Sequence, residues 1–187
     1  MDLDRTILVN RTHPVPEDFS DRIKLVKIPR DEENCILVEE ETARAYQALQ
    51  QHLIDSGLPN SPLSGYRSFE RQQVVWDNFI RDHGPEYAAR YVAKPGFSEH
   101  QTGLAIDVTL YDQNGNDIED SCASEFETMH HILHQFGFIL RYPAGREAIT
   151  GYDYEPWHIR YVGIQAAEMI YRSQWTLEEY WEQKSQP

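Results

Sequence analysis

Apolar residues recur at helical spacing in the segment from 39 to 55. Tyr46, Leu49 and Leu53 fall on one face, three consecutive glutamates precede them, and Gly57 follows them. Acidic residues favour the start of a helix and glycine favours the position just past its end. The pattern therefore predicts an amphipathic helix over 39–55.

A second helical pattern runs from 69 to 81. Its stripe consists of Phe69, Gln72, Gln73, Trp76, Phe79 and Ile80. Most of this stripe is expected to face the core. The two glutamines are polar residues on that face, and a buried amide needs hydrogen-bond partners.

The other segments are shorter, and they include both helical and strand patterns of apolar residues. They predict a strand at 63–66, a helix at 85–93, a strand at 103–110, a helix at 123–135, strands at 137–141 and 157–162, and helices at 164–173 and 176–183. Residues 10–34, with three prolines, are expected to be an irregular lead-in, and Asn114-Gly115 is a hairpin signal within the turn-rich 111–120. Because helices and strands do not alternate regularly, the sequence favours an α+β fold, and its length favours one domain over 1–187.

Charge and composition narrow the class of protein. The 31 acidic residues against 17 Lys and Arg give a net charge of −14, which disfavours nucleic acid as a partner. The start of the chain, MDLDRTILVN, lacks the basic and apolar regions of a signal peptide, and no later segment is apolar enough to span a membrane. We therefore expect a cytoplasmic protein.

Cys35 and Cys122 lack metal or redox spacing, and two buried thiols are the simplest interpretation.

Two of the eight histidines stand in unusual surroundings. The other six, His13, His52, His83, His130, His131 and His134, lie among ordinary polar residues and are expected at the surface or in packing. His130 and His134 have i,i+4 spacing but lack the adjacent glutamate of an HExxH site. His100, by contrast, follows a Pro-Gly turn and precedes the predicted strand 103–110.

Three residues from separate parts of the sequence could together bind a metal ion. Asp107 lies within the apolar run of the same strand, where a carboxylate is costly unless it is paired or bound to metal. His158 lies three residues after Glu155, and the proline between them argues against a helix. Two histidines and one carboxylate with an open fourth position are typical of catalytic zinc, so we expect one zinc ion per chain at His100, Asp107 and His158.

A zinc peptidase also needs a base for its water and a cation for the oxyanion. Glu155 is placed for the first role by its proximity to His158. Arg67, between a predicted strand and a predicted helix, is a candidate for the second, although local sequence alone favours a surface salt bridge.

Four motifs appear together in this order: SGYRS at 64–68, SEHQTGLAID at 98–107, GFILRYP at 137–143 and EPWH at 155–158. In these motifs the chain resembles the VanY/VanX group of D-alanyl-D-alanine carboxypeptidases and dipeptidases. That group belongs to the LAS zinc peptidases, whose fold, a small antiparallel sheet flanked by helices, is shared with the zinc domain of hedgehog proteins. Within that group it resembles in particular the VanXY-type bifunctional enzymes, which are cytoplasmic.

The resemblance implies functions for individual residues. It makes His100, Asp107 and His158 the zinc ligands, Glu155 the general base and Arg67 the group that polarises the scissile carbonyl. It also implies a set of substrate-binding residues: Ser98 at the terminal carboxylate, Gln72 as a substrate-contacting glutamine, and Tyr87 and Trp157 as pocket walls. The segment from Leu110 to Cys122 is expected to border the pocket.

The resemblance implies a peptide substrate ending in D-Ala-D-Ala, either the dipeptide or a peptidoglycan-precursor pentapeptide, and a role in vancomycin resistance or wall remodelling. An L,D-carboxypeptidase or a peptidoglycan endopeptidase on this fold would keep the metal set and change the pocket. A zinc-stabilised binding domain without turnover would need neither Glu155 nor Arg67. The residues do not determine the oligomeric state.

Overall fold

A computed structural model describes residues 3–185 of the chain, so two residues at each end of the predicted domain lie outside the described residues. Within that range six strands are formed: β1 Leu25–Pro29, β2 Cys35–Glu39, β3 Asn60–Ser64, β4 Ala105–Leu110, β5 Phe138–Leu140 and β6 His158–Tyr161. Eight α-helices accompany them: α1 Phe19–Arg22, α2 Glu40–Asp55, α3 Phe69–His83, α4 Pro85–Tyr91, α5 Ser124–Ile132, α6 Glu147–Thr150, α7 Ile164–Ser173 and α8 Leu177–Lys184. Two 3-10 helices lie at Glu99–Thr102 and Leu133–Phe136.

A four-stranded antiparallel sheet, in the order β3-β4-β6-β5, forms the centre of the fold. The predicted α+β class with a small antiparallel sheet is confirmed. The first strand of this sheet begins and ends earlier than the predicted 63–66, because Pro62 lies within β3 instead of in a turn before it. Proline lacks an N–H donor and is tolerated in an edge strand, and β3 is at the edge of the sheet.

Helix α2 packs its apolar face into the main core. Tyr46 and Leu49 are fully buried in the same cluster as Ile106 and Val108 of β4. The Glu39 carboxylate accepts hydrogen bonds from the backbone N–H groups of the second and third residues of the helix, both at 3.0 Å, and so caps its start. The predicted helix is confirmed with its first residue shifted by one.

The lead-in at 10–34 is more regular than the sequence predicts. It contains α1 and then β1, which pairs with β2 in a separate antiparallel sheet. Within β1 only Ile28 is buried, so the strand lacks the alternation of buried and exposed residues that would have revealed it.

Helix α3 forms as predicted, but the prediction that its stripe faces the core is wrong. Gln72 is the buried residue of the helix, whereas Phe69 is 51% exposed and Gln73 bonds to Asp77 on the surface. The helix packs against α4 and over a cavity instead of against the sheet. Its amphipathic pattern therefore reflects a cavity wall.

Smaller differences follow from local geometry. The predicted helix at 123–135 divides into α5 and a 3-10 helix, and the sequence pattern missed α6. The expectation of two buried thiols is wrong, because Cys35 at the start of β2 and Cys122 in the turn before α5 are both exposed. In the part of the chain that the structure describes, no helix has both the length and the apolar character required to cross a bilayer.

Adjacent residues of α2 provide a test of this packing. Leu53 is 1% exposed and Ile54 is 46% exposed. Leu53→Ala should lower the free energy of unfolding by about 2–5 kcal/mol, because it leaves a cavity in the core. Ile54→Ala removes a similar volume from the surface and should cost about 0.5 kcal/mol. Urea unfolding followed by circular dichroism measures both, and equal losses would contradict the orientation of the helix.

Candidate active site

Three sequence-predicted residues meet at one end of the central sheet. His100 lies in the 3-10 helix Glu99–Thr102, Asp107 lies in β4, and His158 is the first residue of β6. Asp107 and His158 are directly paired across the two strands. One donor atom from each of the three residues lies within 4.8 Å of the other two. This arrangement of two imidazoles and one carboxylate could hold a divalent metal ion.

The ring of His100 is oriented by the backbone of the chain. Its Nδ1 lies 2.7 Å from the carbonyl oxygen of Gly65, which can only accept, so we assign the proton to Nδ1. The lone pair of Nε2 then faces Asp107, whose Oδ2 is 3.3 Å away. A Cβ at Gly65 would lie 2.4 Å from the carbonyl oxygen of Leu37, so glycine is needed for this close approach.

The ring of His158 lies between two carboxylates. Its Nδ1 is 3.0 Å from Asp107 Oδ1, and its Nε2 is 3.5 Å from Glu99 Oε2. Burial alone lowers the pKa of His158, but the hydrogen bonds to Asp107 and Glu99 outweigh burial and raise that pKa to about 9. A cation bound between His158 and Asp107 would take the place of the Nδ1 proton.

Asp107 is held in its charged form by its neighbours. Burial would raise the pKa of this carboxyl group, but the adjacent His100 and His158 hold it well below its usual range. Burial also lowers the pKa of His100, with the nearby Arg67 adding to that effect. An ionised carboxylate beside a neutral imidazole is the protonation state that metal binding requires.

Arg67 lies beside this group and is fixed by Gln72. Its Nη2 is 3.6 Å from Asp107 Oδ2, and its Nη1 donates to Gln72 Oε1 at 3.0 Å. The amide nitrogen of Gln72 donates to the carbonyl oxygen of Ala93 at 2.7 Å, so both ends of the buried amide are paired. Local sequence favoured a surface salt bridge for Arg67. The structure instead shows a half-buried guanidinium at the site.

Glu155 reaches the site through a turn. Its backbone N–H bonds to the carbonyl oxygen of Tyr142, and its own carbonyl accepts from the N–H of His158 at 3.1 Å. Its Oε2 lies 3.7 Å from His158 Nδ1. Burial, with a smaller contribution from Asp107, raises the pKa of Glu155 to about 7 against the opposing effects of His158 and Arg67. Such a carboxyl group can hold or release a proton near neutral pH.

A cavity of about 360 Å³ opens beside these residues. Its lining includes all the sequence-predicted site residues: Arg67, Gln72, Tyr87, Ser98, His100, Asp107, Glu155, Trp157 and His158. Ser98 is 3% exposed and Tyr87 is 45% exposed, so they occupy the inner and outer parts of the cavity respectively. Within residues 3–185 the lining contains no residue from 110–122, so the prediction that this segment borders the pocket is wrong.

Sequence reasoning missed several residues at the site. Glu99, Tyr142 and Tyr152 also line the cavity. Tyr142 lies within the GFILRYP motif, which was a signal for its position, and Glu99 is adjacent to His100. Nothing in the sequence pattern indicates that Tyr152 would reach the site.

The remaining histidines lie elsewhere, exposed or half-buried. The pair with i,i+4 spacing is engaged in other contacts: His130 Nε2 lies 2.9 Å from the carbonyl oxygen of Pro156, and His134 Nε2 lies 3.5 Å from Glu168. His13 packs against Trp181. These positions agree with the predicted surface and packing roles.

The sequence of the chain matches a known family and a known relative. Residues 35–164 match the family VanY, described as D-alanyl-D-alanine carboxypeptidase. The chain belongs to the VanY family. Over 180 residues it is 37% identical to the bifunctional D-Ala-D-Ala dipeptidase and D-Ala-D-Ala carboxypeptidase VanXYC of Enterococcus gallinarum, covering 92% of this chain and 91% of that protein.

Two solved structures share the fold of this chain. A vancomycin resistance D,D-pentapeptidase VanY, as a mutant in complex with Zn(II), superposes with a TM-score of 0.84 at 33% identity, covering 95% of this chain and 99% of that one. The LD-carboxypeptidase LdcB superposes with a TM-score of 0.81 at 36% identity, covering 94% of this chain and 84% of that one.

Proposed function

We propose that this chain is a zinc-dependent D,D-peptidase that hydrolyses the D-Ala-D-Ala bond of the dipeptide, of peptidoglycan-precursor pentapeptides, or of both. The observation that carries the proposal is the His100, Asp107 and His158 group at the wall of a cavity that also presents Glu155 and Arg67. A purely structural metal site needs neither a base nor a cation beside it.

The donor set fits zinc. His100 offers Nε2, because its Nδ1 faces a carbonyl oxygen, and Asp107 offers a carboxylate oxygen beside it. His158 offers Nδ1, which faces Asp107. Zinc in such a site supplies Lewis acidity and lowers the pKa of a coordinated water to about 7. The zinc complex of the similar VanY structure supports this choice of metal.

Glu155 is the general base and then the general acid. Its Oε2 accepts the proton of the attacking water, and the raised pKa of its carboxyl group lets it keep that proton. It then delivers the proton to the departing amine nitrogen of the terminal D-alanine. The side chain is only 7% exposed at the cavity wall, which limits proton exchange with bulk water during this transfer.

Arg67 and Ser98 act at different parts of the peptide. Arg67 donates to the oxygen of the scissile carbonyl as negative charge develops there, and Gln72 holds its guanidinium in that direction. Ser98, at the inner part of the cavity, donates its hydroxyl to the terminal carboxylate of the substrate. Tyr87 and Trp157 form apolar walls for the methyl groups of the two alanines.

A second candidate activity is that of an L,D-carboxypeptidase, which removes the terminal D-alanine from a tetrapeptide. The specific observation that favours it is the similarity to LdcB at 36% identity over 94% of this chain. Both activities use the same metal set and base. They differ in the configuration of the residue on the acyl side of the cleaved bond.

The D-alanine released from three substrates separates the two candidates. We expect turnover of D-Ala-D-Ala or of a pentapeptide ending in it, with little release from the tetrapeptide that ends in a single D-alanine. Each substrate is tested at the same enzyme concentration with a chelator-treated sample as the blank. Release confined to the tetrapeptide would replace the D,D-activity by the L,D-activity.

Metal analysis tests the ligand assignment. The wild-type chain should contain about one zinc ion, whereas His100→Ala and His158→Ala should each lose most of it, since two protein ligands hold zinc far more weakly than three. The exposed His131 provides the control, because His131→Ala changes a histidine outside the site and should keep the full zinc content. Full zinc in either ligand variant would show that the assignment is wrong.

Replacing the base separates catalysis from metal binding. Glu155→Gln keeps the size of the side chain but cannot accept a proton, so kcat should fall by about 10²–10⁴-fold while zinc content stays near one per chain. Elemental analysis and the D-alanine assay are carried out on the same preparation. A variant that retains near-normal kcat would exclude Glu155 as the base. Wild-type protein that binds zinc but releases no D-alanine would instead favour a peptidoglycan endopeptidase or a zinc-stabilised binding domain.

The kinetic constants of two further variants distinguish Arg67 from Ser98. A cation aimed at the developing oxyanion matters most in the transition state, so Arg67→Ala should lower kcat by about 10²–10³-fold. A hydroxyl on the terminal carboxylate is engaged throughout, so Ser98→Ala should mainly raise KM. Both constants are measured on D-Ala-D-Ala. If Arg67→Ala changes only KM, the arginine binds the substrate and the two roles are exchanged.

A further inference from the structure

A cluster of four charged side chains lies buried behind the candidate metal site. It consists of Glu99, Arg141, Arg160 and Glu178. Both arginines are fully buried, Glu99 is 2% exposed and Glu178 is 7% exposed. Two positive and two negative charges balance, yet removing four charges from water is expensive, and a hydrophobic set of similar volume is often as stable. The proposed mechanism does not use any of the four.

The two carboxylate oxygens of Glu99 face different partners. Its Oε1 accepts from Arg141 Nε at 2.7 Å and from Arg160 Nη1 at 2.6 Å. Its Oε2 is directed to the other side, 3.5 Å from His158 Nε2, at the outer range of a hydrogen bond. One oxygen thus anchors the carboxylate, and the other faces the ring of a candidate metal ligand.

The arginines that anchor Glu99 are themselves fixed from outside the sheet. Arg141 donates through Nη1 and Nη2 to the two oxygens of Glu178 in α8, at 2.9 and 2.7 Å. Arg160 donates through Nη2 to the carbonyl oxygens of Arg5 and Ile7, at 3.0 and 2.8 Å. Because these bonds hold both arginines in place, the Glu99 carboxylate has little freedom to turn away from His158.

We propose that Glu99 is a positioning residue for the metal site: it accepts the Nε2–H of His158 and thereby presents Nδ1 of that ring to the metal. The inference rests on the proposed metal site. A histidine ligand is commonly oriented by a carboxylate on its second nitrogen, which fixes the tautomer and the ring plane. Here the 3-10 helix Glu99–Thr102 supplies one ligand, His100, and the group that orients another from consecutive residues.

The alternative is that Glu99 only neutralises Arg141 and Arg160. Glu178 allows the two explanations to be separated, because it belongs to the same cluster and pairs with Arg141 and Asn10, whereas Glu99 also faces His158. Glu99→Gln and Glu178→Gln each remove one negative charge from the cluster without a change in size. A neutralising role predicts that the two substitutions have similar effects. A positioning role predicts that only Glu99→Gln changes metal binding.

Metal affinity and a spectrum provide the readouts. We expect Glu99→Gln to lower zinc affinity by about 10–100-fold in competition with a chromophoric chelator, and to shift the visible absorption bands of the cobalt-substituted protein. Glu178→Gln should leave the affinity within about threefold of wild type and the cobalt spectrum unchanged, because Arg160 still anchors Glu99 toward His158 and the Glu178 carboxylate itself does not face a ligand. Equal changes in both variants, or no change in Glu99→Gln, would overturn the proposal.

A measurement on the wild-type protein can overturn the proposal even if Glu99→Gln does not fold. In the zinc-loaded, ¹⁵N-labelled chain, we expect a slowly exchanging proton on His158 Nε2 and a nitrogen shift of Nδ1 typical of metal coordination. A proton on Nδ1 with zinc on Nε2 would overturn the positioning role while leaving the metal site intact. A chain that binds no zinc would instead contradict the proposed function, on which the inference rests.

Discussion

The pairing of β4 with β6 is the constraint on which the rest of the site depends. It sets Asp107 directly opposite His158 across two central strands, so these side chains project from the same face of the sheet. A slip of one residue in either strand would turn one of them to the opposite face. Ile106 and Ile159, one residue away in each strand, are paired with each other and fully buried, so such a slip would also expose core residues.

The same register brings charged groups into the interior, where they are costly unless each one is paired. Arg160 follows two residues after His158 in β6 and is fully buried together with Arg141. Their hydrogen bonds to Glu99 and Glu178 satisfy the guanidinium groups and connect the sheet to α8. A buried network of this kind adds little net stability, and here its bonds orient the Glu99 carboxylate toward His158.

The sequence predicted which residues converge at the candidate site better than it predicted the packing around them. The candidate ligands, Glu155 and Arg67 lie in short motifs where polar groups interrupt apolar strands or turns, and such interruptions are visible without a structure. Glu99 was not predicted, because an acidic residue beside His100 looks like a surface residue until Arg141 and Arg160 are known to converge on it. Those contacts join residues 42 and 61 positions apart, which no local pattern encodes.

The inner face of α3 shows why an amphipathic pattern does not identify what it faces. Gln72 and Phe79 both line the cavity, so polar and apolar residues share that face of the helix for different reasons. The aromatic ring serves as a wall and stacks on Tyr87 of α4, with ring centroids 6.0 Å apart. The amide instead bonds to Arg67 on one side and to Ala93 on the other. A helix that closes a cavity needs apolar residues for the wall and a polar residue to hold a charged side chain in place. Its hydrophobic stripe therefore resembles that of a core helix interrupted by one buried polar residue.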